Sequence, residues 1–468
     1  MTSPLDRVAQ ASAVRPSPRQ LAWQHLEFYG FIHFGINTMT DREWGLGHED
    51  TALFNPERLD ADQWVLSLVS AGMRALILTC KHHDGFCLWP SKVTAYSVKA
   101  SPWRDGKGDV VAEVAAACSR HGIKFGVYLS PWDRTENSYG SGKDYDDFFV
   151  SQLHELLTGY GPVFSVWFDG ANGEGPNGRK QLYDWDRYFS VIRDLQPDAV
   201  ISVCGPDVRW CGNEAGHTRP DEWSVVSASL RGAERTASNS QKVDDGLFSR
   251  LVKSDEQDLG SRKAITATDD ALVWYPAEVN TSIRPGWFYH ANEDHEVRSP
   301  DELFDIYCGS VGGNASFLLN IPPNAEGLIT DADRSALDGL GRLIRNLYQS
   351  DVASQANIRA EGGIYDPAHG LAVESGEATP RLTFTWPDAV ALDGVVLEED
   401  IAGGQQIEAL TVEVETPDGQ RQVASCQSVG YRRILRFEPV VSRVLSIVIT
   451  GYRGPFLLKS PKILQPGG

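Results

Sequence analysis

The 468-residue chain is short of positive charge: 43 Lys and Arg against 63 Asp and Glu leave a formal charge of −20 at pH 7. Such a chain repels phosphate backbones and anionic membranes at long range. No basic patch offsets this, and the densest cluster is YRRILR near the end. Neither nucleic acid nor a membrane surface is expected as a partner. No apolar run reaches spanning length, and MTSPLDRVAQASAVRPSPRQ has no apolar signal-peptide core. A cytoplasmic location is the expectation, although an exported chain stripped of its leader would read the same way. CxxC pairs are absent. The seven cysteines (Cys80, Cys87, Cys118, Cys204, Cys211, Cys308, Cys426) include several in apolar, strand-like runs. They read as reduced, buried thiols, not as a disulfide framework or a zinc site. No internal repeat, low-complexity tract or long linker is present, and oligomeric state is unknown from sequence.

What the chain does have is an ordinary globular composition, 41% hydrophobic and 23% charged, with 13 Trp and 15 Tyr. Strand-like runs occur at GFIHFGIN, ALILTCK, KFGVYLS, VFSVWFDG, AVISVC, EWSVVS, ALVWYPAEV and SFLLNIP. Helix-like stretches fall between them, among them PERLDADQWVLSLVSAGM, DVVAEVAAACSRHG and DYDDFFVSQLHELLTGYG; LYDWDRYFSVIRDLQP, SPDELFDIYCGSVGG and DADRSALDGLGRLIRNLYQS follow. Eight strands alternating with helices predict an α/β fold with a (β/α)8-like barrel over residues 1–350. An open doubly wound sheet would show a glycine fingerprint after its first strand, and GFIHFGIN carries none. The segment from about 227 to 270 is polar and irregular, as insertions near a barrel rim often are. From 351 to 468 the texture changes to short period-2 strands, as in RLTFTWPDAVALDGVVLEED and IEALTVEVETPDGQ. A C-terminal antiparallel β-sandwich is predicted there.

In a barrel the reactive groups sit at the carboxyl ends of the strands. Reading those positions yields His33; Glu43 and Trp44 in the loop after it; His82, His83 and Trp89; Tyr128 and Trp132; Trp167 and Asp169; and then Arg209 and Glu214 in CGPDVRWCGNEAG. Histidines, carboxylates and tryptophans on one rim suit a sugar, whose hydroxyls take hydrogen bonds and whose apolar face stacks on rings. Two carboxylates from different strands suit glycosidic chemistry. Blander readings stand beside these: Asp169 before Gly170 also reads as an Asx turn, Glu214 as a solvated loop residue, and any one Trp as packing. His82 and His83 could be a metal pair, but adjacent residues on an extended strand point to opposite faces and chelate one ion poorly.

FIHFGINTMTDREWG, KHHDGFCLW, GVYLSPWDR, VWFDGA, NTSIRPGWFYH and GGNASFLLNIPPNAEG together resemble the α-L-fucosidases of glycoside hydrolase family 29, over most of residues 20 to 345. The resemblance implies a retaining double displacement on a fucosylated oligosaccharide, with no metal or organic cofactor. Asp169 matches the nucleophile, and the two rings before it are expected to wall a dry pocket. GPDVRWCGNEAG followed by EWSVV resembles the subfamily that cleaves α-1,3 and α-1,4 linkages in branched glycans, which makes Glu214 the acid/base; Glu174, Asp207 and Glu278 are competing carboxylates. His33, Glu43, Trp44, His82, His83, Tyr128 and Trp167 match positions that hold the fucose. Trp287 is expected near the C6 methyl, and Arg209 is expected to steady a catalytic carboxylate. Members of that subfamily are commonly exported, so a chain without a leader would take an imported oligosaccharide. A fucosidase of broader specificity, acting on aryl fucosides and α-1,2 or α-1,6 linkages, and a catalytically silent fucose-binding protein are the alternatives.

Overall fold

A computed structural model describes residues 3–240, 258–374 and 378–466. Eight strands form one parallel barrel sheet: β1 (Phe28–Ile32), β2 (Ala75–Lys81), β3 (Lys124–Leu129), β4 (Ser165–Phe168), β5 (Val200–Val203), β6 (Arg209–Trp210), and further along the chain Ala277–Ser282 and Ser316–Asn320. The sheet order runs from β5 back through β1 to the last two of these strands and ends on β6. A parallel bridge from Ser202 to Val208 brings β6 against β5, so the barrel is nearly closed.

Two apolar layers explain why these strands read as near-continuous hydrophobic runs: one face looks into the barrel and the other onto helices. In β1, Tyr29 and Phe31 point inward and join Ile77, Tyr128, Trp167 and Leu318, whereas Phe28 and Ile32 face the helix layer. The predicted helices form that layer. Ala61–Ser70, Val110–Arg120 and Lys143–Gly159 follow β1, β2 and β3 in turn, and Trp185–Leu195, Pro300–Ser310 and Asp331–Gln349 complete it. Several start on a side-chain cap that satisfies an otherwise orphaned amide, such as Asp60 onto Gln63 N, Asp109 onto Ala112 N and Ser299 onto Glu302 N.

The sixth and seventh barrel strands correct the sequence expectation. EWSVVS does not enter the barrel; its β7 (Val225–Ser227) pairs antiparallel with β8 (Leu272–Trp274) in a separate ribbon. The barrel position is taken by β6, only two residues long, reached from β5 without a helix. ALVWYPAEV is two strands, because Pro276 cannot donate to a ladder: β8 ends at Trp274 and β9 (Ala277–Ser282) begins after the proline. β10 (Ser316–Asn320) then pairs with β1 and β9. Within the irregular 227–270 segment, short helices cover Ala233–Asn239 and Arg262–Thr266, and residues 241–257 lie outside the described residues.

Beyond Gln349 the chain forms antiparallel sheets. The main one is built on the long strands Arg381–Leu397 and Arg433–Tyr452, with Ile407–Thr416 and Gly419–Cys426 beside them. Its core, Leu382, Phe384, Leu410, Val412, Leu445 and Ile447 among others, alternates with exposed positions as a sheet with one covered face requires.

One buried ion pair ties the loop after β9 to the last barrel helix. Arg284 donates to both oxygens of Asp333 (2.9 and 3.0 Å), and both side chains are fully buried. Arg284→Met strands the Asp333 charge and should cost about 3–5 kcal/mol in urea unfolding. An Arg284→Met/Asp333→Leu double variant should lose less than the single variant; a larger loss in the double would contradict this.

Candidate active site

The alternation that sorts β4 also answers why two rings precede a carboxylate in VWFDGA. Trp167 points into the barrel, Phe168 points out to the helix layer against Phe149 and Trp185, and Asp169 points inward again at the rim. Only Trp167 therefore walls the pocket; Phe168 does not. Gly170 is demanded by sterics, since a Cβ there would collide with Ser240 Oγ and lie 2.9 Å from Thr236 Cγ2.

A cleft opens over the barrel's carboxyl end. It is lined by His33, Glu43, Trp44, His82, His83, Trp167, Asp169, Glu214 and Trp287 among the anticipated residues, and by Phe31, Ala171 and Asn280 besides. Asp169 is half-buried. Its Oδ1 accepts from Ala171 N (2.7 Å), the Asx-turn bond, and its Oδ2 accepts from Tyr128 OH (3.0 Å). Turn former and reactive carboxylate are thus compatible roles for one side chain. Burial pushes the Tyr128 hydroxyl far up, with the Asp169 charge adding to it, so the phenol stays protonated and donates. Tyr128 stacks on Trp167 at 5.3 Å and on His82 at 5.6 Å.

The three histidines are held neutral. Burial lowers His33 to about 3 and His83 to about 4, and lowers His82 well below its usual value. Their tautomers follow from their partners. Asn320 donates its amide to Ser282 Oγ and Trp287 O, so its Oδ1 accepts from His33 Nδ1 (2.8 Å), which leaves His33 Nε2 an acceptor. Ser130 donates to Trp132 O, so its Oγ accepts from His83 Nδ1 (2.7 Å). His83 Nε2 then sits 3.9 Å from Asp169 Oδ2 with no proton between them, an arrangement that suits a hydroxyl donor supplied by substrate.

The histidine pair departs from the strand rule. β2 carries a register shift between Thr79 and Lys81 and ends there, so alternation does not extend to the next two residues. The rings of His82 and His83 pack 4.1 Å apart, both on the cleft. One ligand atom each from His82, His83 and Asp169 lies within 4.8 Å of the others.

Glu43 works mainly through its loop. Its Oε1 accepts from Phe288 N (2.9 Å) and pairs with His290 Nε2 (2.8 Å), and its Oε2 accepts from Trp287 N (2.9 Å). These bonds raise His290 to about 9, so the clamp is an ion pair at neutral pH. The clamped Trp287 in turn donates Nε1 to Glu214 Oε2 (2.9 Å). Trp287 is thus tied to the second carboxylate, a role the sequence did not suggest. Glu214 itself sits in CGNEAG between Gly212 and Gly216, both at positive φ (101° and 83°), and Asn213 Oδ1 accepts from Ala215 N (3.0 Å) to shape the turn. Trp44 packs against His83 and Trp132.

Several anticipated residues lie off the cleft lining, among them Trp132, which packs against Trp44 and His83. Arg209 does not reach Asp169 or Glu214; its Nη2 donates to Glu222 Oε1 (2.6 Å) and to Trp223 O (2.9 Å), because β6 turns that side chain away from the cleft. Trp89 donates to Glu155 on the helix layer (2.8 Å). Of the competing carboxylates, Glu174 is exposed off the cleft and Asp207 accepts from Ile201 N (2.8 Å). Glu278 forms the floor, fully buried, accepting from Tyr29 OH (2.6 Å) and Trp167 Nε1 (2.8 Å). Asn280, missed from sequence, stands two residues on with the same inward parity and accepts from Trp210 Nε1 (3.0 Å).

A barrel rim carrying paired carboxylates, neutral histidines and rings around one cleft defines a glycoside hydrolase. Residues 16–347 match the family described as Alpha-L-fucosidase, and the chain belongs to that family. It is 40% identical to Alpha-L-fucosidase 1 of Arabidopsis thaliana over 452 residues, 93% of this chain and 84% of that protein. A Bacteroides ovatus crystal structure superposes with TM-score 0.87 at 44% identity, covering 100% of this chain and 77% of that one. A Ruminococcus gnavus family 29 fucosidase solved in complex with fucose gives 0.82 at 28% identity, covering 97% and 95%.

Burial pushes Glu278 up from 4.5 to about 7, against the two hydrogen bonds that pull it down. A carboxyl raised on folding contributes stability fully below about pH 4.5 and loses it as pH rises through about 7, a difference of about 3 kcal/mol. The urea midpoint should therefore fall between pH 5 and 8, and Glu278→Gln, which cannot titrate, should shrink that fall. An unchanged fall in the variant would contradict it.

Proposed function

We propose that the protein is a retaining exo-α-L-fucosidase that removes terminal fucose from α-1,3 and α-1,4 linkages of branched, Lewis-type oligosaccharides. The reading is carried by one observation: two half-buried carboxylates, Asp169 and Glu214, line a single cleft and are held by different partners. Asp169, bonded to two neutral donors, is the nucleophile, attacking the anomeric carbon to form a fucosyl-enzyme as the leaving oxygen departs. Glu214 protonates the departing oxygen and then takes a proton from the incoming water. His33 Nε2 and His83 Nε2 accept from fucose hydroxyls, and Trp167 and Trp287 offer the apolar wall that a methyl-bearing sugar rewards. The fucose held by the Ruminococcus gnavus relative supports the substrate class. Support for the linkage is the GPDVRWCGNEAG segment that presents Glu214.

The test is free-fucose release from Lewis a and Lewis x trisaccharides by wild type, Asp169→Ala and Glu214→Ala. Wild type should act, and both variants should fall by at least about 10³-fold. On an activated aryl fucoside, azide should rescue Asp169→Ala to β-fucosyl azide by one displacement and Glu214→Ala to the α-azide by two. Cleavage of the aryl fucoside alone by wild type would overturn the linkage preference. Tight fucose binding without turnover on either substrate would identify a binding protein.

A further inference from the structure

The loop presenting Glu214 leaves the barrel at β6 and returns through residues 218–224, which lie against the C-terminal sandwich. Where it leaves, Cys211 N donates to Glu278 O (3.0 Å). Where it returns, Arg219 Nη1 donates back to Cys211 O (3.1 Å) and so draws the two legs together. Glu222, buried between the legs, pairs with Arg209 at 2.6 Å and with Arg219 at 3.2 Å. Burial alone would raise the Glu222 carboxyl; the two guanidiniums outweigh it and hold it down, so the triad is ionised.

The returning leg is then gripped from the sandwich. Ser428 Oγ donates to Glu222 O (3.0 Å) and accepts from Arg433 Nη2 (2.6 Å). Arg433 Nη1 donates to Pro220 O (2.8 Å), and its Nε donates to Ser428 O (2.8 Å). Gln427 N donates to Asp221 Oδ1 (2.6 Å), and Gln405 Oε1 accepts from Ser224 N (2.7 Å). Arg433 and Ser428 are both more than nine-tenths buried and hold each other as well as the leg, whose Glu222 O also accepts from Asn314 Nδ2 (2.9 Å) on the barrel side. The set fixes the backbone of one loop, whose other end bears a cleft carboxylate.

We infer that Arg433 and Ser428 are positioning residues for the acid/base, and that the sandwich acts in catalysis by bracing the Glu214 loop through Glu222. This rests on the reading of Glu214 as acid/base. A misplacement of about 1 Å can cost about 10²-fold in rate, so loosening the brace should be felt in proton donation.

Proton donation matters most when the leaving group is poor. The quantity to measure is kcat/KM, which reports only steps through formation of the fucosyl-enzyme, for the full-length protein on two substrates. One is a disaccharide with fucose on a sugar hydroxyl; the other is 2-chloro-4-nitrophenyl α-L-fucoside, whose phenolate needs little acid. Ser428→Ala and Arg433→Met should lose about tenfold or more on the disaccharide and under about twofold on the aryl fucoside. Equal loss on both substrates, or none on either, overturns the inference; Ser428→Ala decides the matter if Arg433→Met does not fold. Glu214→Ala is the reference. If it shows the leaving-group bias and the sandwich variants do not, the brace is wrong; if it shows no bias itself, the acid/base reading is wrong.

Discussion

The Asp169 carboxyl stands on a barrel rim with no lysine or arginine of the described residues bonded to it, only a tyrosine hydroxyl and a backbone amide. A guanidinium on that carboxylate would stabilise it and blunt it. The surroundings are arranged accordingly. Three histidines sit within the same cleft, yet burial keeps them uncharged, and Asn320 and Ser130 fix which nitrogen of His33 and of His83 carries the proton. One cation, His290, sits on Glu43 of the cleft; others pair elsewhere, Lys81 on Asp133 at 2.9 Å, Arg209 and Arg219 on Glu222, Arg284 on Asp333. Around Asp169 the site is thus rich in lone pairs, and a polyhydroxylated neutral ligand supplies hydroxyl donors to them.

Strand parity is what brings those groups together. Phe31 and His33, Tyr128 and Ser130, Trp167 and Asp169, and Glu278 and Asn280 are each two apart on a strand, so each strand contributes one floor residue and one rim residue to a common axis. The floor is a hydrogen-bonded unit, with Tyr29 and Trp167 both donating to Glu278, and it carries the indole on which Tyr128 stacks. The rim is tied sideways. Asn320 joins His33 to Trp287, Glu43 joins Trp287 to His290, and Trp287 reaches Glu214, so one side of the cleft is a continuous chain of bonds.

Much of this was legible because it follows from periodicity. Six helices and the strands from GFIHFGIN to AVISVC could be read from their apolar patterns, and the rim residues follow once the strand ends are known. What could not be read depends on partners remote in sequence. β6 is two residues long and has no pattern of its own; only its neighbours make it a barrel strand. EWSVVS has a better strand pattern and lies outside the barrel, since pattern reports burial and not which sheet is joined. His82 and His83 both line the cleft because β2 shifts register and ends at Lys81, just before them, which alternation does not show. Arg209 sits in the right motif and bonds to Glu222, a residue 13 positions away whose own burial calls for two cations. The grip of Arg433 and Ser428 on residues 220–222 spans more than two hundred residues and leaves no local signal.

The proposed division, with Asp169 as nucleophile and Glu214 as acid/base, predicts two displacements at the anomeric carbon. Proton NMR of wild-type enzyme turning over an aryl α-L-fucoside, recorded before mutarotation, measures this directly. The α-anomer of fucose should appear first and the β-anomer only later, as the free sugar equilibrates. First appearance of the β-anomer would mean a single displacement by water, with Asp169 acting as a base and not as a nucleophile.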